Sequence, residues 1–220
     1  PAYYDYVLLR EFGEKGEVVS EHRFVGLYTS SVYYQAARLI PLVRKKVAAV
    51  LDQSGFAPNG HSAKDLLQVI NIFPRDELFQ TSTEQLLSTA MEITRIQETR
   101  ATKLFIRKDD YGKFFSCLIY VPRDIYNTRV RQDIQSYLMR RLGGAEVDFT
   151  TYFSESILAR IHFIIRSPSI HQLEFDRVSM EKEIMALIKP WEDYFLEALR
   201  AVFPDQEADE LFAVYSSCYS

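Results

Sequence analysis

The side chains best able to do chemistry in this 220-residue chain share one face of an expected sheet, and they suit contact better than catalysis. Alternation along 113–121 (KFFSCLIYV) and 157–166 (ILARIHFIIR) puts Phe114, Ser116, Leu118 and Tyr120 beside Leu158, Arg160, His162, Ile164 and Arg166. Asp148, Thr150 and Tyr152 of 146–153 join them. Tyr120, Tyr152, Arg160, His162 and Arg166 are therefore candidates for a contact surface, meeting a small effector or a second copy of the module. The competing reading is that another strand pair or helix covers this face, since a face left in water is normally more polar. Arginine, histidine and aromatics on a sheet also suggest RNA recognition. The expected strand order and the net charge of −4 both oppose it, so no nucleic-acid partner is assigned.

Catalytic patterns are absent from the sequence. There is no G-x-G-x-x-G, P-loop, G-x-S-x-G or H-E-x-x-H. The four histidines, His22, His61, His162 and His171, fall on separate elements. His61 and Asp65, four apart, read as a surface contact on one helix face. Cys117 alternates with core residues and reads as a small buried hydrophobe; with Cys218 it makes no disulfide framework, and cysteine alone cannot build a zinc site. Arg44-Lys45-Lys46 lies opposite an apolar stripe and reads as a solvated face. Asp109-Asp110 is turn chemistry. No catalytic residue, metal site or cofactor site is assigned to this chain.

The elements that position these residues begin with a hairpin. Runs 3–12 and 17–29 are aromatic and β-branched, joined by Gly13-Glu-Lys-Gly16, and such a pair needs further strands or helices to rest on. Helices follow: one after Pro41 with Ile40, Val43, Val47, Val50 and Leu51 inward, one over 62–73 ended by Pro74, and one from Ser82 to about 97 opened by a capping box. Then come strands 103–108 and 113–121, a helix capped at Asn127 or Thr128, strands 146–153 and 157–166, and a helix from near Asp176 using Met180, Ile184, Leu187 and Ile188. Pro190 predicts a kink in the final helical stretch, the alternative being a new helix that begins at Pro190-Trp191. The fold class is α+β: a two-layer, ferredoxin-like antiparallel sheet in ββαββα order, preceded by a β-hairpin and a helical segment. Boundaries are expected at 1–38 (a hairpin of a preceding or shared module), 39–100 (helical), 101–190 (the ferredoxin-like domain) and 191–220 (a helical extension).

Composition is that of an ordinary globular domain, 47% hydrophobic and 25% charged, with only eight Gly and eight Pro. No apolar run reaches the roughly 18 residues of a membrane span and the first twenty lack a signal-peptide layout, so the expected setting is cytoplasm, with no membrane partner. Position 1 is Pro rather than Met, which leads us to expect a piece of a longer chain.

The strings FVGLYTSSVYY (24–34), the stretch 40–82 containing F-P-R-D-E-L-F-Q, SCLIYVPRDIYNTRVR (116–131), LARIHFIIRSP (158–168) and WEDYFLEAL (191–199) resemble the large bacterial NAD-dependent glutamate dehydrogenases, colinearly over most of the chain. The resemblance implies an N-terminal regulatory region of ACT-like and PAS-like modules. It implies a cytoplasmic, homo-oligomeric parent enzyme that converts L-glutamate to 2-oxoglutarate and ammonia with NAD. The catalytic and NAD-binding residues of that family lie C-terminal to the matched stretch, so none is carried over. Partners would then be other domains of the same chain, neighbouring subunits and an amino-acid effector. The ligand edge of such a module would be the strand-to-helix loop 122–128, with Arg123, Asn127, Thr128 and the free N–H groups of a helix start. In the plainer alternative, Asn127 and Thr128 only cap the helix and Arg123 pairs with a nearby acid. A stand-alone module that binds an amino acid or a partner protein is the other reading of the chain as a whole.

Overall fold

The computed structural model describes residues 4–154, 156–189 and 191–216, with the Trp191 side chain and Cys218 outside the description. The chain divides into two compact units, Pro1–Met91 and Glu92–Ser220.

The first unit opens with strands β1 (Asp5–Phe12) and β2 (Val18–Gly26), paired antiparallel with Leu8 opposite Arg23. Gly16 closes their turn at φ 78°, a conformation that costs a residue with a Cβ. The pair forms a two-stranded sheet of its own, and Tyr6, Leu9, Phe12, Phe24 and Val25 are exposed. Helices α1 (Ser30–Tyr34), α2 (Val43–Gln53), α3 (His61–Ile72) and α4 (Arg75–Gln80) follow, with a 3₁₀ turn at Ala37–Leu39. Val43, Val47 and Val50 of α2 and Leu66, Val69 and Ile70 of α3 are buried at the expected helical spacing. Helix α2 begins two residues past Pro41, because Leu42 takes a positive φ of 67°. The short helices α1 and α4 carry too few turns for a periodic signal. Helix α5 (Thr83–Thr99) starts where Ser82 Oγ accepts the Gln85 N–H at 3.2 Å, and buries Leu86, Ala90, Ile93 and Ile96.

The second unit holds the ferredoxin-like sheet. Strands β3 (Lys103–Lys108), β4 (Phe114–Pro122), β5 (Glu146–Phe153) and β6 (Leu158–Arg166) are antiparallel in the order β3-β4-β6-β5. Helices α6 (Thr128–Arg141) and α7 (Arg177–Ile188) supply the second layer, giving ββαββα. Register puts Cys117 opposite Phe163 and Ile119 opposite Ile161. These pack with Ile134, Leu138, Met180 and Ile184 in one core, so Cys117 is the small buried residue expected. The β3–β4 turn uses Gly112 at φ 64°, with Asp109 Oδ2 accepting the Lys113 N–H at 3.0 Å.

Two expectations give way here. Helix α7 ends at Ile188, Lys189 is extended, and α8 (Trp191–Val202) begins afresh, so there are two helices rather than one kinked helix; Pro190 itself lies outside the described residues. Leu187 faces out at 44% exposure, because Met180, Ile184 and Ile188 already fill the i, i+4, i+8 stripe. In α9 (Asp205–Ser216), Val214 is exposed while Phe212 lies 6.0 Å from Phe195 of α8, so that part of its apolar surface already has a neighbour.

Candidate functional site

The loop between β4 and α6 brings Arg123, Asn127 and Thr128 together, all three exposed. Its shape comes from Pro122, whose carbonyl accepts the Ile125 and Tyr126 N–H groups, and from Arg123, whose N–H bonds Ile157 O at 2.9 Å. Asn127 is extended (φ −148°) and its Oδ1 accepts the Val130 N–H at 2.9 Å, so the N-cap is Asn127 rather than Thr128. Arg123 Nη1 donates to the Ser154 carbonyl at 3.0 Å, and its guanidinium carbon stands 5.6 Å from the Phe153 ring centre. It does not pair with the adjacent acid: Asp124 holds Arg100 at 3.0 Å. One of the five N–H donors of Arg123 is spent on the Ser154 carbonyl, and the residue stays exposed. The same loop thus carries an exposed cation at Arg123 and, four residues on at Asn127, the positive end of a 14-residue helix.

The strand β5 side of that loop is aromatic. Phe149 and Phe153 are 46% and 48% exposed, and Arg131 of α6 lies 4.2 Å from the Phe149 ring centre. Tyr126 meets Phe153 edge-on, with ring centres 5.2 Å apart. Both rings point to the helix-bearing face, as alternation requires, but they lie on an edge strand that α6 covers only in part.

On the opposite sheet face the five sequence candidates separate. Tyr120 and His162 are buried, at 3% and 8% exposure, and His162 Nε2 lies 2.8 Å from Ser116 Oγ. Tyr120 stands edge-on to Phe105, and burial pushes its phenol up to about 12, with the Arg160 charge opposing. Arg160 stacks on Tyr152, 4.7 Å from guanidinium carbon to ring centre, and burial draws its titration down against the pull of Tyr120 and Tyr152. Arg166 donates to Asp148 at 2.7 Å and reaches Glu146 at 3.4 Å. Tyr120 and His162 therefore offer no open surface; Tyr152 with Arg160 lies at one end of the β5–β6 pair, and Arg166 with Glu146 and Asp148 at the other.

Lys46 departs from its expected solvated face. Arg44 and Lys45 are exposed, whereas the Lys46 ammonium donates to the carbonyls of Leu78, Phe79 and Thr81 at 2.7, 3.1 and 2.5 Å. It tops the C-terminal end of α4, where carbonyls lack helical partners. Helical spacing could have placed Lys46 beside Val47 and Val50, but not beneath a second helix.

The F-P-R-D-E-L-F-Q string is structural. Phe73 and Leu78 are buried, Phe79 stacks on Tyr28 at 4.5 Å, and Arg75 Nη2 donates to Gln35 O at 2.8 Å. Asp76 accepts from the Tyr33 hydroxyl at 3.4 Å, and Asp5 accepts the Tyr28 N–H at 3.1 Å. Burial first, then the Asp5 charge, raises the Asp76 carboxyl above the ordinary aspartate range, with the Tyr33 hydrogen bond opposing. The folded state then binds this proton more tightly than the unfolded chain. Its stabilisation is complete below the ordinary aspartate value and is lost as pH rises through the raised one. Asp76→Asn is therefore expected to raise the urea midpoint of the first unit at pH 7, with the gain shrinking as pH falls to 4. A pH-independent change would assign the effect to packing.

Among the described residues no three His, Cys, Asp or Glu side chains are grouped to hold a metal ion, and no helix is long and apolar enough to cross a membrane.

Residues 103–192 match the family model described as glutamate dehydrogenase, ACT2 domain, and residues 40–99 match glutamate dehydrogenase, helical motif 1. Three curated relatives are described as NAD-specific glutamate dehydrogenase. The chain is 40% identical to the Halomonas elongata protein over 219 residues, covering 100% of the chain and 14% of that protein. It is 48% identical to the Pseudomonas aeruginosa protein over 193 residues, covering 88% and 12%. With the Mycobacterium tuberculosis protein it shares 32% over 232 residues, covering 99% and 14%. The chain thus spans only 12–14% of the length of these relatives.

Proposed function

The chain belongs to the NAD-specific glutamate dehydrogenase family, and we propose that it is a regulatory and assembly segment of such an enzyme, outside the catalytic machinery. The observation that carries this reading is the ACT2 match at 103–192, which falls on the ββαββα sheet and its two helices. The parent enzyme oxidises L-glutamate to 2-oxoglutarate and ammonia in the cytoplasm, using NAD held by residues elsewhere in its chain. The segment works by carrying a ligand-dependent difference between two states of the parent, with other domains and subunits as its partners. The proposed modules are the hairpin 1–38, the helical 39–100, the ACT domain 101–190 and the helical extension 191–220.

The effector edge is the 122–128 loop. An amino acid would place its carboxylate on Arg123 and the first turn of α6, where Asn127 has ordered the backbone. The test is a titration of the chain with L-glutamate and other amino acids, following its thermal midpoint, beside an assay for NADH formation. We expect a rise in midpoint for at least one amino acid at millimolar concentration, abolished in Arg123→Ala, and no NADH from glutamate. NADH formation by the 220-residue chain would overturn the non-catalytic reading. A rise that survives Arg123→Ala would move the ligand elsewhere.

A further inference from the structure

The outer edge of β3 is already occupied. Leu104 donates its N–H to Glu181 Oε2 at 3.0 Å, and its carbonyl accepts from Arg177 Nη1 at 3.2 Å. Arg177 and Glu181 sit four apart on α7 and pair with each other at 3.4 Å. The adjacent Lys103 ammonium reaches Glu181 at 3.1 Å and Glu92 at 2.6 Å, and Arg177 approaches the same Glu92 oxygen to 4.0 Å. Glu92 belongs to the C-terminal part of α5, so two acids and two bases join three elements: α5, the β3 edge and α7.

Exposed ion pairs contribute little, because water and side-chain entropy offset them. Here the Lys103 and Glu181 side chains keep only 18% and 15% of their exposure, and Glu181 spends its second oxygen on a backbone amide. Burial pulls the lysine down, yet its bonds to Glu92 and Glu181 outweigh that and hold it above the ordinary lysine range. Removing one member of such a set leaves charges and a backbone amide short of partners.

We propose that Lys103 is the hub of a clamp that makes residues 92–99 of α5 and the start of α7 move as one body with the β3 edge. Resting on the regulatory reading above, the clamp is the joint at which a change in the ACT2 domain reaches helical motif 1. A shift of α7 that keeps Glu181 on Leu104 carries Lys103, and through it Glu92, in the same direction. A shift that breaks the set strands a half-buried charge, so intermediate positions are disfavoured.

Hydrogen exchange on the full-length dehydrogenase carrying this segment tests the clamp. Lys103→Met and Glu92→Gln should each raise exchange over 92–99 by about tenfold, while 158–166 of β6 stays as in wild type. The double variant should match the singles, because both break one joint. Glu181→Leu, which leaves no acceptor, should release the Leu104 amide in particular. Unchanged exchange at 92–99, additive effects, or lost protection across β6 would each overturn the clamp. Glutamate saturation curves on the same proteins test the meaning given to it: Lys103→Met and Glu92→Gln should shift half-saturation or the Hill coefficient alike at unchanged kcat. Altered exchange with unaltered saturation would keep the clamp and overturn the regulatory reading instead.

Discussion

Phe163→Ala is expected to cost about 3–5 kcal/mol, the largest loss from any single side chain proposed here. Phe163 is fully buried on a central strand, opposite Cys117 on β4 and Phe149 on β5, within the core that α6 and α7 close. Truncation leaves a cavity bounded by two strands and a helix layer, none of which can move inward alone, so lost transfer energy and the cavity add. Urea denaturation followed by far-UV circular dichroism reads the change as a lower midpoint for the second unit. Phe149→Ala is the control. Phe149 shares that face but sits on the edge strand at 46% exposure, and its loss should be about 1 kcal/mol. Equal losses at the two positions would mean that β5 is covered as fully as β6.

Lys46→Met should cost about 2–3 kcal/mol in the first unit. The methionine keeps the apolar stem beside α2, but the carbonyls of Leu78, Phe79 and Thr81 lose a charged donor where Thr81 and Leu78 are buried. Arg44→Ala and Lys45→Ala, two and one residues away and exposed, should stay within roughly 0.5 kcal/mol. Thermal or urea unfolding of the three variants separates these outcomes. A neutral Lys46→Met would show that water replaces the ammonium at those carbonyls without penalty, returning all three residues to the solvated face read from their spacing.

Much of the fold was legible because its signals are local. Alternation over 113–121 and 157–166, a Ser or Asn ahead of a helical run, and a turn glycine such as Gly16 at positive φ depend on the few residues around them. So do the order ββαββα and the face that Cys117 occupies. Reading went astray where the outcome depended on a distant element. Pro190 could be a kink or a boundary, and the extended Lys189 decides for separate helices. Lys46 has the spacing of an exposed residue and acquires a buried role from α4, thirty-two residues further on. The second sheet face reads as half-apolar because Tyr120 and His162 are buried there, with the Phe105 ring of β3 against Tyr120 and the Arg160 guanidinium of β6 stacked on the Tyr152 ring of β5.

By itself the sequence determined the element order, the faces of the strands and the family, since each rests on periodicity or on strings read in place. Tertiary structure alone decided which charges are spent. Arg123 turns to a carbonyl and a ring rather than to Asp124, which bonds Arg100. Lys103 joins Glu92 and Glu181 across 11 and 78 positions. A long cationic side chain reaches several partners from one backbone position, and their distances are set by packing, which no spacing rule along the chain encodes.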